Sequence, residues 1–283
     1  MTKYNALAIT TNYWKPRSIY IDKIIDAIES KVEECDFVVV SEKAISTALG
    51  NMVDESTVEP NWSAMVMARF WMRIVWGYPL GILCCFGPRL LKRLRNYPLA
   101  SGSRHKQVAL QYAGFWQALM FGSEGGIDGS NLPYSYVSLP LNDAEELAQK
   151  IQSQIQLRLQ KNVCVIIADT DKTYKFRNFF FTPRPNPLKG IHSLGASSTY
   201  LIGRVLKLKK SSTPLTAVGC NLGASEALKI TNIADKARGP GSGATVWDMA
   251  ARFHVEVNEV SWEMLAAIRH KPIVIVRKTI KQD

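Results

Sequence analysis

The chain has 283 residues with 47% hydrophobic content, which can bury a full core in one large domain or two interlocked ones and excludes a disordered chain. A net charge of +11 favours anionic partners such as nucleotide phosphates, a polycarboxylate cofactor, nucleic acid or an acidic membrane. The five cysteines are an odd number without a CxxC spacing, which excludes a zinc site of that type and indicates a reducing compartment. No secretory signal is recognisable, so we expect a cytoplasmic protein.

The N-terminal region predicts a strand, a helix and a second strand. Residues 5–10 (NALAIT) are expected to form the first strand. From Ser18 onward, isoleucines and a valine recur every three or four residues as far as Val32, which predicts an amphipathic helix. The apolar run at residues 37–40 predicts the next strand. These elements are expected to be scaffold.

An unusual segment at residues 61–107 is rich in Trp, Met, Phe and Leu. Its uncharged part, residues 74–88, is about 15 residues long, whereas a membrane-spanning helix needs roughly 20. We expect an insertion of two or three short helices that cover the sheet or an oligomer partner. A hairpin on a membrane surface is an alternative, and no recognition-helix pattern supports nucleic-acid binding. Near its end, three consecutive basic residues are candidate binders of substrate phosphate or carboxylate groups, namely Arg104, His105 and Lys106.

The stretch SEGGIDGSNLP at residues 123–133 places a carboxylate and a carboxamide in a glycine-flanked loop. Its glycines permit positive φ and a close approach of the backbone to a ligand. Asp128 and Asn131 therefore suit a hard cation or a nucleotide ring. The alternative is an Asx-turn, in which Asp128 only bonds its own backbone.

A second acidic motif follows a predicted buried strand at residues 163–168 (VCVIIA). A helix that Asn142 caps is expected to precede this strand. In open α/β sheets, the carboxyl ends of strands are where ligands bind. Carboxylate and hydroxyl oxygens are the ligands that Mg²⁺ or Mn²⁺ prefers, and a solvated turn is the alternative. The predicted metal ligands are Asp128, Asp169, Thr170 and Asp171.

The C-terminal part contains a glycine-rich loop, RGPGSGAT at residues 238–245, between two predicted helices. The first helix is expected at residues 225–238, and Thr245 is expected to cap the second. Free amides at a helix start attract anions, although no GK[ST] follows as in a Walker loop. A plain linker is the alternative. The candidate nucleotide-binding residues of this loop are Gly239, Gly241, Ser242 and Gly243. An aromatic and then proline-rich stretch at residues 176–187 is expected to be loop and not helix. Its phenylalanines at 179–181 are typical of strand core, and stacking on a flat cofactor ring is the alternative. A final strand at residues 273–276 completes the prediction.

These motifs resemble the coenzyme F420-0:γ-glutamyl ligase family. The similarity is carried by GGIDGSNLP, the leucine- and proline-containing run and helix after it, and VIIADTD, in the family's order and spacing. FVVVSEKAISTALG at residues 37–50 resembles the family's first strand and nucleotide-binding turn. The resemblance covers most of residues 5–180 and fades beyond Thr182. It implies an α/β or α+β fold with a mixed sheet, crossover helices and two interlocked subdomains, which form a single domain with a divergent part from about residue 183.

The resemblance also implies a function. Members of the family attach L-glutamate to the carboxylate of an F420-0-like cofactor through an acyl phosphate, using GTP, Mg²⁺ or Mn²⁺, and potassium. A homodimer is implied as well. In such a site, the two aspartate motifs hold the metals. The nucleotide is contacted by the turn residues Glu42, Lys43 and Thr47 together with Asn131.

The turn departs from the family pattern. The family usually reads SKAEG where this chain reads STALG, so Thr47 replaces a lysine and Leu49 a glutamate. Lys43, one helical turn earlier, is a candidate to serve instead. Two alternatives to the implied ligase follow: a nucleotide- or cofactor-binding protein of the same fold without ligase activity, and a glutamate ligase that acts on a folate-like pterin.

Overall fold

A mixed seven-stranded sheet is at the centre of the fold, which the computed structural model describes for residues 3–122, 124–243 and 245–279. Ser123 and Ala244, which belong to the two predicted glycine-rich loops, lie outside the described residues. A second sheet has two strands, so the fold is mixed α/β, as predicted. The strands are β1 (Lys3–Thr11), β2 (Phe37–Ser41), β3 (Met52–Asp54), β4 (Tyr136–Ser138), β5 (Cys164–Phe176), β6 (Phe179–Thr182), β7 (His192–Ser193), β8 (Lys209–Val218) and β9 (His270–Thr279).

The main sheet has the strand order β1, β9, β2, β5, β6 and β7, and β8 pairs along β5. β2 and β5 are parallel, whereas β9 is antiparallel to both β1 and β2, and β5 is antiparallel to both β6 and β8. β3 and β4 form the small antiparallel sheet. The strands predicted at residues 5–10, 37–40, 163–168 and 273–276 are confirmed as parts of β1, β2, β5 and β9.

Helices cover both faces of the main sheet. Because side chains alternate along a strand, Val38 and Val40 pack with the helices Tyr20–Ile28 and Ala144–Leu159, whereas Val39 packs with the helix Ala224–Arg238 on the other face. Burial on both faces explains the unbroken apolar run of β2. The helices are α1 (Tyr20–Ile28), α2 (Glu42–Leu49), α3 (Trp62–Val66), α4 (Pro79–Leu83), α5 (Pro88–Arg95), α6 (Leu99–Tyr112), α7 (Phe115–Ala118), α8 (Ala144–Leu159), α9 (Ala196–Val205), α10 (Ala224–Arg238), α11 (Val246–Phe253) and α12 (Trp262–Ala266).

The segment at residues 61–107 is helical, as predicted, but it is divided more finely than into two or three helices. It contains α3, a wider π-helical segment (Met67–Trp76), α4, α5 and most of α6. These helices pack around an aromatic core of their own that includes Trp76, Phe86 and Tyr200 of α9. No helix in the described part of the chain is long and apolar enough to cross a membrane.

Strand β5 is longer than predicted, and this changes the place of the second acidic motif. The predicted strand ended before Asp169, but β5 continues to Phe176 because it pairs with β8 and, at its end, with β6. The pairing with β8 is irregular between Asp169 and Lys172. The motif therefore lies in a bulged part of a strand rather than in a turn after it. Bulges are common next to functional sites.

One local prediction is confirmed in part and another is wrong. The run at residues 176–187 contains no helix, and its three phenylalanines, which are typical of strand core, enter β6, where Phe180 and Phe181 are buried. The N-cap of α8 is Asp143 rather than Asn142, and no side chain caps this helix.

Cys164 and Cys220 form a disulfide, which the prediction of a reducing compartment did not anticipate. Cys164 begins β5, and Cys220 follows the end of β8. The register of these strands pairs Val165 with Val218 and thereby brings the two cysteines together. The disulfide follows from the pairing of β5 with β8, which the spacing of the cysteines in the sequence does not reveal.

Candidate functional site

Most of the predicted site residues line one cleft of about 1160 Å³, although they come from separate parts of the chain. Three do not line it: Glu42, Lys106 and Asp169. Those that do are Lys43, Thr47, Arg104, His105, Asp128, Asn131, Thr170, Asp171, Gly239, Gly241, Ser242 and Gly243. The cleft therefore joins the turn of α2, the two acidic motifs, the basic residues of α6 and the glycine-rich loop after α10.

Asp128 contacts both its own loop and a cation from α2. Its Oδ1 accepts a hydrogen bond from the Ser130 amide at 2.7 Å, as in the Asx-turn alternative. Its Oδ2 forms an ion pair with Lys43, and its side chain remains 28% exposed. Lys43 also donates to the carbonyl and hydroxyl oxygens of Ser130, at 2.9 and 2.8 Å. The Asx-turn at Asp128 and the bonds from Lys43 thus hold a carboxylate and an ammonium side by side at the cleft wall.

A buried arginine that sequence reasoning missed lies behind this wall. Arg184 is 1% exposed and donates to Glu42 and to the carbonyl oxygen of Gly125, and its Nε lies 3.4 Å from Oδ2 of Asp169. Gly126 has φ +102°, and a Cβ there would lie 2.0 Å from the guanidinium, so only glycine fits. A single arginine in TPRPNP, between two prolines, was the available sign.

Burial raises the pKa of Glu42 to about 8. Arg184 opposes this shift, whereas Asp169 and Asp128 add to it. Glu42 also accepts a hydrogen bond from the Leu141 amide at 2.7 Å. Glu42, which was predicted to contact the nucleotide, is therefore enclosed in the protein and bound to Arg184, and its side chain does not line the cleft.

The second acidic motif has one side chain behind the cleft and two on it. Oδ2 of Asp169 is buried and has no hydrogen-bond partner among the described residues, while Thr170 and Asp171 line the cleft. Nowhere in the described ranges do three His, Cys, Asp or Glu side chains converge as metal ligands. The oxygen donors fit Mg²⁺ or Mn²⁺ bound through one or two carboxylates and completed by water and substrate phosphate, but not a cage made only of protein.

The predicted basic residues of α6 have different surroundings. His105 Nδ1 lies 2.6 Å from Glu55 and its Nε2 lies 3.3 Å from Glu124. Burial alone would lower the pKa of His105, but the two carboxylates outweigh it and raise this pKa to about 10. His105 is therefore cationic at neutral pH, and it lines the cleft together with Arg104.

Lys106 lies on the inner side of the same helix. It is fully buried, 2.9 Å from Glu124, and donates to the carbonyl oxygen of Met120. Burial opposes ionisation of Glu124, but Lys106 and His105 lower its pKa to about 2. The ammonium of Lys106 thus holds the helical insertion together and does not face the cleft.

The glycine-rich loop is attached to the first acidic loop through Asn131. The Asn131 Oδ1 accepts hydrogen bonds from the Ser242 amide, at 2.6 Å, and from the Ser242 hydroxyl, while its Nδ2 donates to the Gly243 carbonyl at 3.3 Å. The amide of Ser242, expected to be free for an anion, is therefore occupied. The predicted cap is confirmed, since the Thr245 hydroxyl accepts from the Asp248 amide at 3.2 Å.

Comparison with known proteins identifies the family of the chain. The model of the F420-0:gamma-glutamyl ligase family matches residues 9–211, which extends past Thr182, where the motif resemblance fades. An uncharacterized protein of Methanocaldococcus jannaschii is 32% identical over 295 aligned residues, which cover 98% of this chain and 97% of that protein. The chain therefore belongs to the F420-0:gamma-glutamyl ligase family.

Proposed function

We propose that this chain is a GTP- and metal-dependent ligase that adds L-glutamate to the carboxylate of an F420-0-like cofactor through an acyl phosphate. The family indicates a γ-glutamyl ligase of F420 biosynthesis; the nucleotide, the metal and the acyl phosphate are our proposal. The observation that carries it is the convergence of both acidic motifs, Lys43 and the glycine-rich loop on one cleft.

The size of the cleft supports a reaction between large substrates. Small-molecule pockets usually measure about 300 to 1,000 Å³, and this cleft is larger. It extends from the glycine-rich loop at Gly239 to Glu55 and to His105 of the helical insertion. We assign the nucleotide to the first end. The acceptor's carboxylates belong at the second, where Arg104 and His105 supply positive charge.

The proposed reaction has two transfers. A carboxylate oxygen of the acceptor attacks the γ-phosphorus, and the bond from that phosphorus to the bridging oxygen breaks as GDP leaves. The amine of glutamate then attacks the acyl carbon, and inorganic phosphate leaves. A bound Mg²⁺ or Mn²⁺ would neutralise charge on the transferred phosphoryl group.

Particular residues would act in these steps. Lys43 would neutralise a phosphate oxygen, since its ammonium lies at the cleft wall. The metal would be held by oxygens of Asp128, Asp169, Thr170 and Asp171. Asn131 would orient the glycine-rich loop around the nucleotide through its bonds to Ser242 and Gly243.

One observation favours the alternative of a nucleotide-binding protein without ligase activity. Thr47 stands where the family usually has a lysine, and its hydroxyl is buried and donates to the Lys43 carbonyl at 2.8 Å. It does not replace the missing cation. Turnover of nucleotide that requires both glutamate and an acceptor would decide for the ligase, and an acceptor screen with deazaflavin and pterin carboxylates would identify its substrate.

The proposal is tested first by calorimetric titration with GTP and with ATP, each with and without Mn²⁺. We expect metal-dependent binding of GTP that Asp128→Ala and Asp169→Ala both abolish. Asp22→Ala is the control, because it removes a carboxylate whose partner is the exposed Arg158. If the wild-type protein binds neither nucleotide, the proposed function is wrong.

A further inference from the structure

We propose that Arg238 binds an oxyanion of a substrate in the cleft, as a recognition residue that the family match does not include. Arg238 is the last residue of α10, directly before the glycine-rich loop, and it lines the cleft. It lies beyond residues 9–211, which the family model matches. The inference rests on the proposed function, because the oxyanion is taken to be a phosphate or a carboxylate of its substrates.

The first reason is that part of its guanidinium lacks a partner. Nε and Nη2 of Arg238 are buried and have no hydrogen-bond partner in the part of the chain that the structure describes. Burial lowers the pKa of Arg238, although Asp235 and Asp169 oppose the shift. Buried polar groups are nearly always hydrogen-bonded, so an orphaned donor pair calls for an explanation. A phosphate or carboxylate group bound in the cleft would supply acceptors for both donors.

The second reason is that the neighbouring carboxylates already have other cations. Asp235 lies 2.9 Å from the ammonium of Lys172, and Asp169 lies 3.4 Å from Arg184. These acids favour the charged form of Arg238 and leave Nε and Nη2 of its guanidinium without a hydrogen bond. Positive charge is thus in excess at this point of the cleft.

His270 reports the same excess. It lines the cleft, and its pKa is lowered to about 4 by burial first and then by the positive charges of Arg238, Lys23 and Lys43. A hydrogen bond to the Asn12 carbonyl opposes this shift. His270 is therefore neutral at pH 7 and cannot itself be the cation that binds an anion. The cations that line the cleft, Arg238 and Lys43 among them, are left as its positive groups.

The chemistry of the free atoms narrows the ligand. Nε and Nη2 form one edge of the guanidinium and can donate two parallel hydrogen bonds to two oxygens of one phosphate or carboxylate. The edge is buried where it lies, so it must turn toward the cleft to bind. Nε and Nη2 have no hydrogen bond with the described residues that this movement would break, and the ligand would give the buried cation a polar partner.

The test uses Arg238→Gln, which removes the charge, and Arg238→Lys, which keeps the charge but loses the two-donor edge. Lys236→Gln is the matched control, because it removes an exposed cation from the same helix end, also at the cleft. Each protein is titrated with GTP, guanosine, inorganic pyrophosphate and L-glutamate. A thermal melt without ligand checks folding. Arg238→Gln removes no hydrogen bond of Nε or Nη2 but loses the attraction to Asp235 and Asp169, so the melt serves to show that the variant still unfolds in one cooperative transition close to that of the wild type.

A charge-assisted hydrogen-bond pair corresponds to about 10- to 100-fold in Kd. We expect Arg238→Gln and Arg238→Lys to lose about this much for one class of probe, while Lys236→Gln changes affinity by less than about fivefold. A loss of affinity for GTP and pyrophosphate, but not for guanosine, identifies the ligand of Arg238 as a phosphate. A loss of affinity for glutamate, with the affinity for GTP unchanged, identifies it as a carboxylate.

Two failures are distinguishable. If the wild type binds these probes and both Arg238 variants bind them equally well, the inference is wrong and the proposed function stands. If the wild type binds pyrophosphate or glutamate but not GTP, and Arg238→Gln has lower affinity for the probe that is bound, the proposed function is wrong and the anion site stands. A wild type that binds none of the probes overturns both.

Discussion

Replacing Arg184 with methionine is the sharpest test of how the site is held. Arg184 lies between Glu42 and Asp169 and is 1% exposed. Two unit charges 3.4 Å apart, the separation of Arg184 and Asp169, attract by about 5 kcal/mol at an effective dielectric constant of about 20. Removing one partner of a buried pair typically costs about 3 to 5 kcal/mol, because the remaining charge stays buried. We expect Arg184→Met to lower the free energy of unfolding by this amount at pH 8.5.

The loss should depend on pH in a definite direction. The folded pKa of Glu42, about 8, lies above its ordinary value of 4.5, so its contribution to stability is complete below pH 4.5 and is lost as pH rises to about 8. Arg184 lowers this pKa. Without Arg184 the pKa of Glu42 rises further, and the loss of stability continues to higher pH. The difference between wild type and variant should therefore be smaller at pH 5 than at pH 8.5.

Urea denaturation at both pH values, followed by the fluorescence of the seven tryptophans, measures this difference. Arg158→Met is the matched control: Arg158 pairs with Asp22 at 2.6 Å, but both side chains are more than 40% exposed, and such pairs contribute only about 0 to 1 kcal/mol. Glu42→Gln should recover part of the loss in the Arg184→Met background at pH 8.5. An equal loss at pH 5 and pH 8.5, or a loss below about 1 kcal/mol, would refute the reasoning.

Three further predictions concern other parts of the site and fold. The imidazole of His105, whose pKa is raised to about 10 by two carboxylates against the opposing effect of burial, should keep its protonated NMR signals from pH 6 to pH 8; titration near 6.5 would contradict its surroundings. Gly241→Ala should cost more stability than Gly50→Ala by denaturation. Both glycines have positive φ, but a Cβ at position 241 would lie 2.6 Å from Asn131 Oδ1, whereas position 50 opens on free space; equal losses would show that the loop does not lie against Asn131. Cys220→Ser should lower the free energy of unfolding by about 4 kcal/mol under oxidising conditions, as the chain-entropy estimate gives for cysteines 56 residues apart, and by little when a reductant is present, as thermal melts with and without reductant would show.

Much of the fold was predictable because its signals are local. The apolar run of β2 and the amphipathic repeat of α1 each report burial at a known period. The end of α10 at Gly239 has a local cause too, since its φ of +74° favours glycine. Such elements need no knowledge of their partners.

The failures occur where a distant partner decides the structure. β5 continues past Asp169 because it pairs with β8 and β6, which follow it in the chain. The Cys164 and Cys220 disulfide depends on the same register. No spacing within a short window contains this information.

The candidate site shows the same division. The acidic residues were found because they stand in glycine-rich or strand-end motifs, whereas their cationic partners were harder to find. Lys43 was named through a family pattern. Arg184 and Arg238 follow from no motif, because an arginine is recognised as part of a site only when the carboxylates around it are known.

The pairing of acids with cations indicates how the site would change on binding. Asp128 is bound to Lys43 and Asp169 faces Arg184, so the acidic motifs are neutralised by the protein itself. A divalent cation brought with nucleotide phosphates would compete for these carboxylates, and each cation it displaces would become free to bind a phosphate oxygen. Since Lys43 lies at the cleft wall and Arg184 is enclosed, Lys43 can make this exchange by a side-chain rotation, whereas Arg184 cannot leave without unpairing Glu42. We therefore expect Lys43→Ala to weaken nucleotide binding with little loss of stability. Arg184→Met should lower the free energy of unfolding and affect nucleotide binding less.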